Sequence, residues 1–390
     1  MPVLNRIVEL APAVTEWRRD LHRHPEIDFA THRTSALVAE KLRDFGCDDV
    51  ATGIGRTGVV GVIRGRSTAS GKVIGLRADM DALPMTEATG LPHSSTIPGA
   101  MHGCGHDGHT AMLLGAAQYL AETRNFDGAA VVIFQPAEEG GGGGREMVED
   151  GMMERFGIAE VYGMHNMPGR PVGDFALRPG PLMAASDIFT IDVTGRGGHA
   201  AQPHNTIDPT VAASAIVLAL QTIVARSADP LKAAVVSVTS FRTASDAFNV
   251  IPETVELRGT ARSLEPEVQD LIERRMHEIV AGVAGAYGAD ARLDYRRNYP
   301  VTANDPDRAA FAASVAASVV GAARVDADAP PVMGGEDFSF MLNARPGAFV
   351  FVGNGDTAKL HHPKYDFNDE LIPVGVSYWV KLVEMAMPAG

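Results

Sequence analysis

The stretch Met101-His102-Gly103-Cys104-Gly105-His106-Asp107-Gly108-His109 sets a thiol, three imidazoles and a carboxylate within nine residues. These are the ligand types of zinc and its neighbours in the first transition series. Cys104 and His106 are two apart, and the glycines around them free the backbone to aim both side chains at one point. Alone, the pair would read as a buried cysteine and a surface histidine. The balance shifts because Asp79, Asp81, Glu138, Glu139, His165 and His361 recur near the ends of apolar runs. One catalytic cation needs only about three or four protein ligands, so the surplus favours two divalent cations about 3.5 to 4 Å apart sharing a water. Zinc, manganese, cobalt and nickel all suit one thiolate among imidazoles and carboxylates.

Glu138 and Glu139 are neighbours, and neighbouring side chains on an extended segment point opposite ways. One of them binds metal and the other faces the substrate as general base. They follow directly on an apolar run, where bare carboxylates would be costly without a cation or hydrogen-bond donors. His22 and His24 flank a turn that Pro25 imposes and read as structural residues.

The elements that must position these groups are short buried strands. Residues 72–76, 129–134 and 160–163 are apolar runs bounded by glycine or charge, and each presents acidic or imidazole groups just past its end. In open α/β sheets that carboxyl edge binds ligands. Apolar residues recur at helical spacing over 3–21, 31–45, 308–320 and 374–385, and 110–122 is rich in small helix formers. Residues 183–299 read instead as β-α-β-β-α-β, the split ferredoxin-like unit. The fold class expected is therefore α/β: a catalytic domain with a mainly parallel sheet flanked by helices (1–183 and 300–390), interrupted by a ferredoxin-like α+β domain (184–299). The pattern GxGxxG at 53–58 lacks a following helix and reads as a turn. The five glycines at 140–144 lack the Lys-Ser/Thr of a phosphate loop and read as a flexible loop.

Composition narrows the partners. The 390-residue chain is 45% hydrophobic and 21% charged with a net charge of -14, so nucleic acid and acidic membranes are disfavoured and a small molecule is the expected partner. Two cysteines, Cys47 and Cys104, and an N-terminus without a signal-peptide pattern point to a reducing, cytoplasmic setting. The most apolar segment, 211–225, falls short of the roughly 20 residues that span a bilayer.

Taken together, the motifs DLHRHPE (20–26), LRADMDALP (76–84), MHGCGHDGHT (101–110), FQPAEEG (134–140), GMHNMP (163–168), GRGGHAAQPH (195–204), NVIPE (249–253) with GTAR (259–262), MGGEDF (333–338) and LHHPKYDFND (360–369) carry a resemblance. The chain resembles the dinuclear metal amidohydrolases that include hippurate hydrolase and the plant auxin-conjugate hydrolases and, more distantly, carboxypeptidase G and aminoacylase. The resemblance implies that Cys104, His106, Glu139, His165 and His361 are ligands of two divalent ions and that Glu138 is the general acid/base. It places His361, two before the proline, as ligand in preference to His362. It also implies that the inserted domain is a lid, usually the interface of a homodimer, whose His199 reaches the partner subunit's site and steadies the developing oxyanion. Asn249 and Arg262 match positions that hold the substrate carboxylate.

Asp81 is similar to an aspartate that, in distant members, steadies a metal-binding histidine two residues upstream, where this chain has Asp79. Asp107 and His109 are expected behind the ligands, orienting them. The activity implied is hydrolysis of N-acyl amino acids, with a dipeptidase or desuccinylase of the same architecture as the alternative. A non-catalytic metal-stabilised binding protein would have no need of Glu138.

Overall fold

Residues 5–390 are described in the computed structural model, and they group into two compact units. One comprises residues through Leu182 together with Ala303–Pro330 and Asp337–Gly390; the other comprises Met183–Thr302 and Pro331–Glu336. Val3 and Leu4, where the first helical pattern begins, lie outside the described residues.

The first unit is built on an eight-stranded sheet. Its strands run in the order Asp49–Ile54, Gly58–Arg64, Ala129–Gln135, Val73–Asp79, Glu160–Met167, Gly347–Gly353, Phe175–Ala176 and Val325–Asp326. The four central strands, from Ala129–Gln135 to Gly347–Gly353, are parallel, while antiparallel pairs occur on either side. These strands are buried along nearly their whole length because both faces are covered, which a parallel sheet requires. Val73–Asp79 is followed in sequence by the neighbour on one side and then by the neighbour on the other, so the carboxyl ends of these three strands frame a topological switch point.

Helices Asn5–Arg23, His106–Thr123, Pro306–Val320 and Ile372–Ala386 contribute to one core that includes Leu10, Val14, Leu113, Leu120, Val315, Tyr378 and Trp379. Gly115 lets the second of these helices approach closely: a Cβ there would lie 3.0 Å from Val14 and from Val376.

In the second unit the strands Ala185–Thr194, Ala234–Thr243, Thr254–Ser263 and Asp290–Tyr299 form an antiparallel sheet, in which the order is second, third, first, fourth. With helices Pro209–Thr222 and Pro266–Ala286 this is the β-α-β-β-α-β order read from the sequence. Asp208 caps the first helix by accepting the Thr210 N–H at 2.8 Å, with Pro209 at its start. A π-helical turn carries that helix on to Ser227. The helix so extended has 19 residues and is apolar enough to cross a bilayer by length and composition only. One side of it, through Ala212, Ala213, Ile216, Leu220 and Ile223, is buried in the core of this unit.

Two glycine readings have different outcomes. Residues 53–58 close an antiparallel hairpin, as a turn should. The run at 140–144 is instead packed. Helix Gly143–Glu149 starts within it, a Cβ on Gly143 would stand 1.8 Å from the Pro136 carbonyl oxygen, and the Gly144 N–H donates to Asp337 at 2.8 Å. Close backbone approach, a tertiary constraint, explains glycine here.

Candidate active site

The groups singled out in the sequence converge at the switch point. Asp79 ends one central strand, and Glu138 and Glu139 lie three and four residues beyond the end of its neighbour, Gln135. His165 lies near the end of the strand on the other side, and His106 opens the helix His106–Thr123. Gly105, just before it, has φ of 92°, and a Cβ there would lie 2.3 Å from Asn166 Oδ1, so this position admits only glycine. His361 arrives on a segment without regular structure, at φ of 61°, with its N–H donating to the Gly103 carbonyl at 2.8 Å.

Cys104 Sγ is 3.4 Å from His165 Nε2, and His361 Nε2 is 3.4 Å from Glu139 Oε2. Three sets of donor atoms each lie within 4.8 Å of one another: Cys104, His106 and His165; Cys104, Glu139 and His361; His106, Glu138 and Glu139. The histidines are presented in the ligand tautomer. His106 donates through Nδ1 to the Asp81 carbonyl at 2.9 Å and His165 through Nδ1 to the Asn166 carbonyl at 2.7 Å, which turns each Nε2 toward the cluster.

Whether this set suits a cation follows from what it lacks. His106 Nε2 and Glu139 Oε1 are buried with no hydrogen-bond partner, a costly arrangement unless something else engages them. Burial, with Glu139, Glu138 and Asp79 alongside, pushes the Cys104 thiol well above its ordinary pKa. Burial lifts Glu139 to about 7, with Asp81 adding to it against the pull of His106. Burial opposes charge on His106, yet Asp79 and Asp81 hold it up at about 10. The cluster by itself retains protons that divalent cations would displace, and its donor chemistry fits them.

Asp81 does something other than steady an upstream ligand. Its carboxylate accepts the N–H of Glu138 at 3.0 Å and of Glu139 at 3.1 Å, fixing the backbone of both glutamates just after Ala137, which has φ of 54°. Asp79 is engaged elsewhere: it accepts from Arg77 Nη1 at 2.8 Å and from His109 Nδ1 at 2.6 Å. His109 in turn accepts the Asn166 N–H at 3.1 Å, and Asn166 donates to Tyr365.

Asp107 contacts no ligand imidazole. It accepts from His22 Nδ1 at 2.8 Å and lies 3.5 Å from Arg18, all three residues being fully buried. His102 is buried too, with neither ring nitrogen hydrogen-bonded, and burial lowers its pKa to about 4. Arg18, Arg77, Asn166 and Tyr365 are not among the predicted site residues. Only Arg77, a charge inside a buried apolar strand, carries a signal in the sequence.

Burial opposes charge on His22, but Asp107 and Glu87 outweigh it and raise the imidazole from 6.5 to about 9. A raised pKa adds stability that is fully present below pH 6.5 and is lost as pH climbs through about 9. The stability gap between wild type and His22→Gln in urea denaturation should therefore be widest below pH 6.5 and narrow toward pH 9. A gap independent of pH would show that His22 is not charged in the fold.

The remaining predicted groups belong to the second unit. His199 pairs with Val250 in a two-stranded ribbon, and the Ala200 N–H donates to the Asn249 carbonyl at 3.0 Å, so His199 and Asn249 are neighbours. Arg262 is half-buried, donates to the Ala261 carbonyl at 3.0 Å and to Thr260, and forms no ion pair with a carboxylate among the described residues.

The sequence profile of the peptidase family M20/M25/M40 matches residues 75–385. The chain belongs to this family. As an M20 protein it is an amide-bond hydrolase. It is 42% identical to hippurate hydrolase of Campylobacter jejuni over 98% of both chains, and 39% identical to N-acetylcysteine deacetylase of Bacillus subtilis over 95% of this chain and 96% of the relative. Among solved structures it is similar to a dinuclear metal-binding M20 peptidase of Bacillus subtilis, with a TM-score of 0.83 and 34% identity over 98% of this chain and 100% of the other. The α/β architecture with a mainly parallel central sheet is thus the M20 architecture.

Proposed function

We propose that this M20 enzyme hydrolyses the amide bond of N-acyl amino acids with two divalent cations per subunit, Zn, Mn, Co or Ni. The observation that carries the proposal is the convergence of Cys104, His106, Glu139, His165 and His361 beside Glu138 at the switch point. Cys104, His106 and His165 would hold one cation, and Cys104, Glu139 and His361 the other. Bound there, the cations would supply Lewis acidity, lowering the pKa of a water and polarising the scissile carbonyl.

The chain's own groups do the rest. Glu138, with its backbone held by Asp81, accepts a proton from the attacking water and returns it to the leaving nitrogen. His199 is assigned to the oxyanion. Arg262, lacking a carboxylate partner of its own, takes the substrate's free carboxylate together with Asn249.

The second unit is assigned as lid and homodimer interface. Its exposed apolar residues Val211, Leu218 and Leu231 support that reading, Leu231 being 93% exposed. Two free cysteines favour a reducing, cytoplasmic location.

The test uses the purified protein, a chelator and a substrate panel. Chelation should abolish hydrolysis of an aromatic N-acyl amino acid and added metal should restore it; chelator-resistant hydrolysis would reject the proposal. Arg262→Met should lower kcat/KM on that substrate about 10- to 100-fold, the worth of a charge-assisted hydrogen bond. It should leave the corresponding carboxamide substrate unaffected. Equal losses on both substrates would remove Arg262 from carboxylate recognition. A dipeptide and a succinylated diamine in the same panel distinguish the alternative activities.

A further inference from the structure

Outside the donor cluster lies a second group of charges, centred on buried Arg18, His22 and Asp107. Arg18 and His22 are one helical turn apart on Asn5–Arg23, and both are buried. A buried guanidinium needs compensation, and carboxylates from two distant segments supply it. Asp369 accepts from Arg18 Nε at 2.8 Å, Asp366 accepts from Nη1 at 3.0 Å, and Asp107 lies 3.5 Å from Nη1. Asp107 directly follows His106. Asp366 and Asp369 belong to the segment that carries His361. One side chain on the first helix therefore holds both His106's helix start and His361's segment.

The His361 side chain is 55% exposed and its backbone is at positive φ. The segment is tied down by the His361 N–H bond to Gly103, the Asn166–Tyr365 hydrogen bond, Phe367 packed against Gly108, the Ala88 N–H bond to the Pro363 carbonyl at 2.7 Å, His93 on Asp366 at 3.0 Å, Arg19 on Asp369 at 3.0 Å, and Arg18. The first three act between the segment and the cluster itself. Among the described residues Arg18 alone reaches both Asp107, beside His106, and the Asp366 and Asp369 carboxylates, and because it is itself buried salt screens it less than a surface pair.

We infer that Arg18 is a positioning residue of the metal centre: it sets His361 relative to Cys104 and His106, and thus governs the affinity of the cation position that His361 completes. The inference rests on the dinuclear reading above. Loss of an outer partner of a ligand costs about 10- to 100-fold in metal affinity. Removing Arg18 should impose that loss on the His361 position and leave the position formed by Cys104, His106 and His165 nearly unchanged.

The experiment is calorimetric titration of chelator-stripped protein with Mn²⁺, with thermal melting of the stripped protein alongside. Wild type should bind two ions per subunit. Arg18→Met should weaken one of them by about 10- to 100-fold, and Arg18→Lys, which restores the charge with fewer donors, should recover part of that loss. Two sites of wild-type affinity in Arg18→Met, or both weakened equally, would overturn the inference. If Arg18→Met does not fold, Asp366→Asn removes the carboxylate on the His361 side and is read by the same criteria. A wild-type stoichiometry of one or none would instead reject the dinuclear reading on which the inference depends.

Discussion

Glu138→Gln should lower kcat by about 10²- to 10⁴-fold, the usual worth of a general acid/base, while retaining both metals and a near-normal KM. The substitution keeps the shape of the side chain and removes only its ability to take and return a proton. Its neighbour is not equivalent. Glu139 belongs to a donor set with Cys104 and His361, and Glu138 does not. The backbone of both is held by the same carboxylate, so the amide variant should leave Asp81's two hydrogen bonds in place. Metal analysis together with steady-state kinetics decides the matter: a metal-replete Gln variant with wild-type turnover would remove Glu138 from the chemistry, and a metal-depleted one would reassign it as a ligand.

Cys104→Ala should have the second large effect, and a different one. Because the thiol lies within reach of His165 and also of Glu139 and His361, its loss should lower the affinity for both ions together. The decrease should exceed the roughly 10- to 100-fold caused by loss of an outer-shell partner. His165→Ala, by contrast, should weaken one ion only. The two variants can be compared by competition with a fluorescent chelator. Independent loss of a single ion in Cys104→Ala would show that the thiol serves one position and that another residue joins the pair.

Much of this was readable before any coordinates. The short apolar runs 72–76, 129–134 and 160–163 read as buried strands, and acidic or imidazole groups just past three such ends imply a shared edge. The alternation of helix and strand between 183 and 299 was equally plain because each element there has its own amphipathic period.

The groups that were not readable are those whose meaning depends on a partner far along the chain. Arg18 reads as an ordinary surface charge until Asp366 and Asp369 fold onto it. Gly143 reads as slack until Pro136 comes within contact of its Cα. Asp107 sits beside a ligand in sequence yet serves His22, because the first turn of a helix directs successive side chains about a hundred degrees apart.

The first unit is discontinuous in a way that bears on how the protein is made. Gly347 pairs with Val161, so the strand that completes the middle of the large sheet is synthesised only after the entire second unit has emerged. His361 follows it. A nascent chain therefore holds Cys104, His106, Glu139 and His165 for most of its time on the ribosome without the strand that flanks His165 or His361. Pairings so distant in sequence form late, and until they do, the thiol is open to whichever soft cation it meets first. On the proposed dinuclear reading, metal loading should depend on timing as well as on affinity and be most sensitive to metal supply during synthesis.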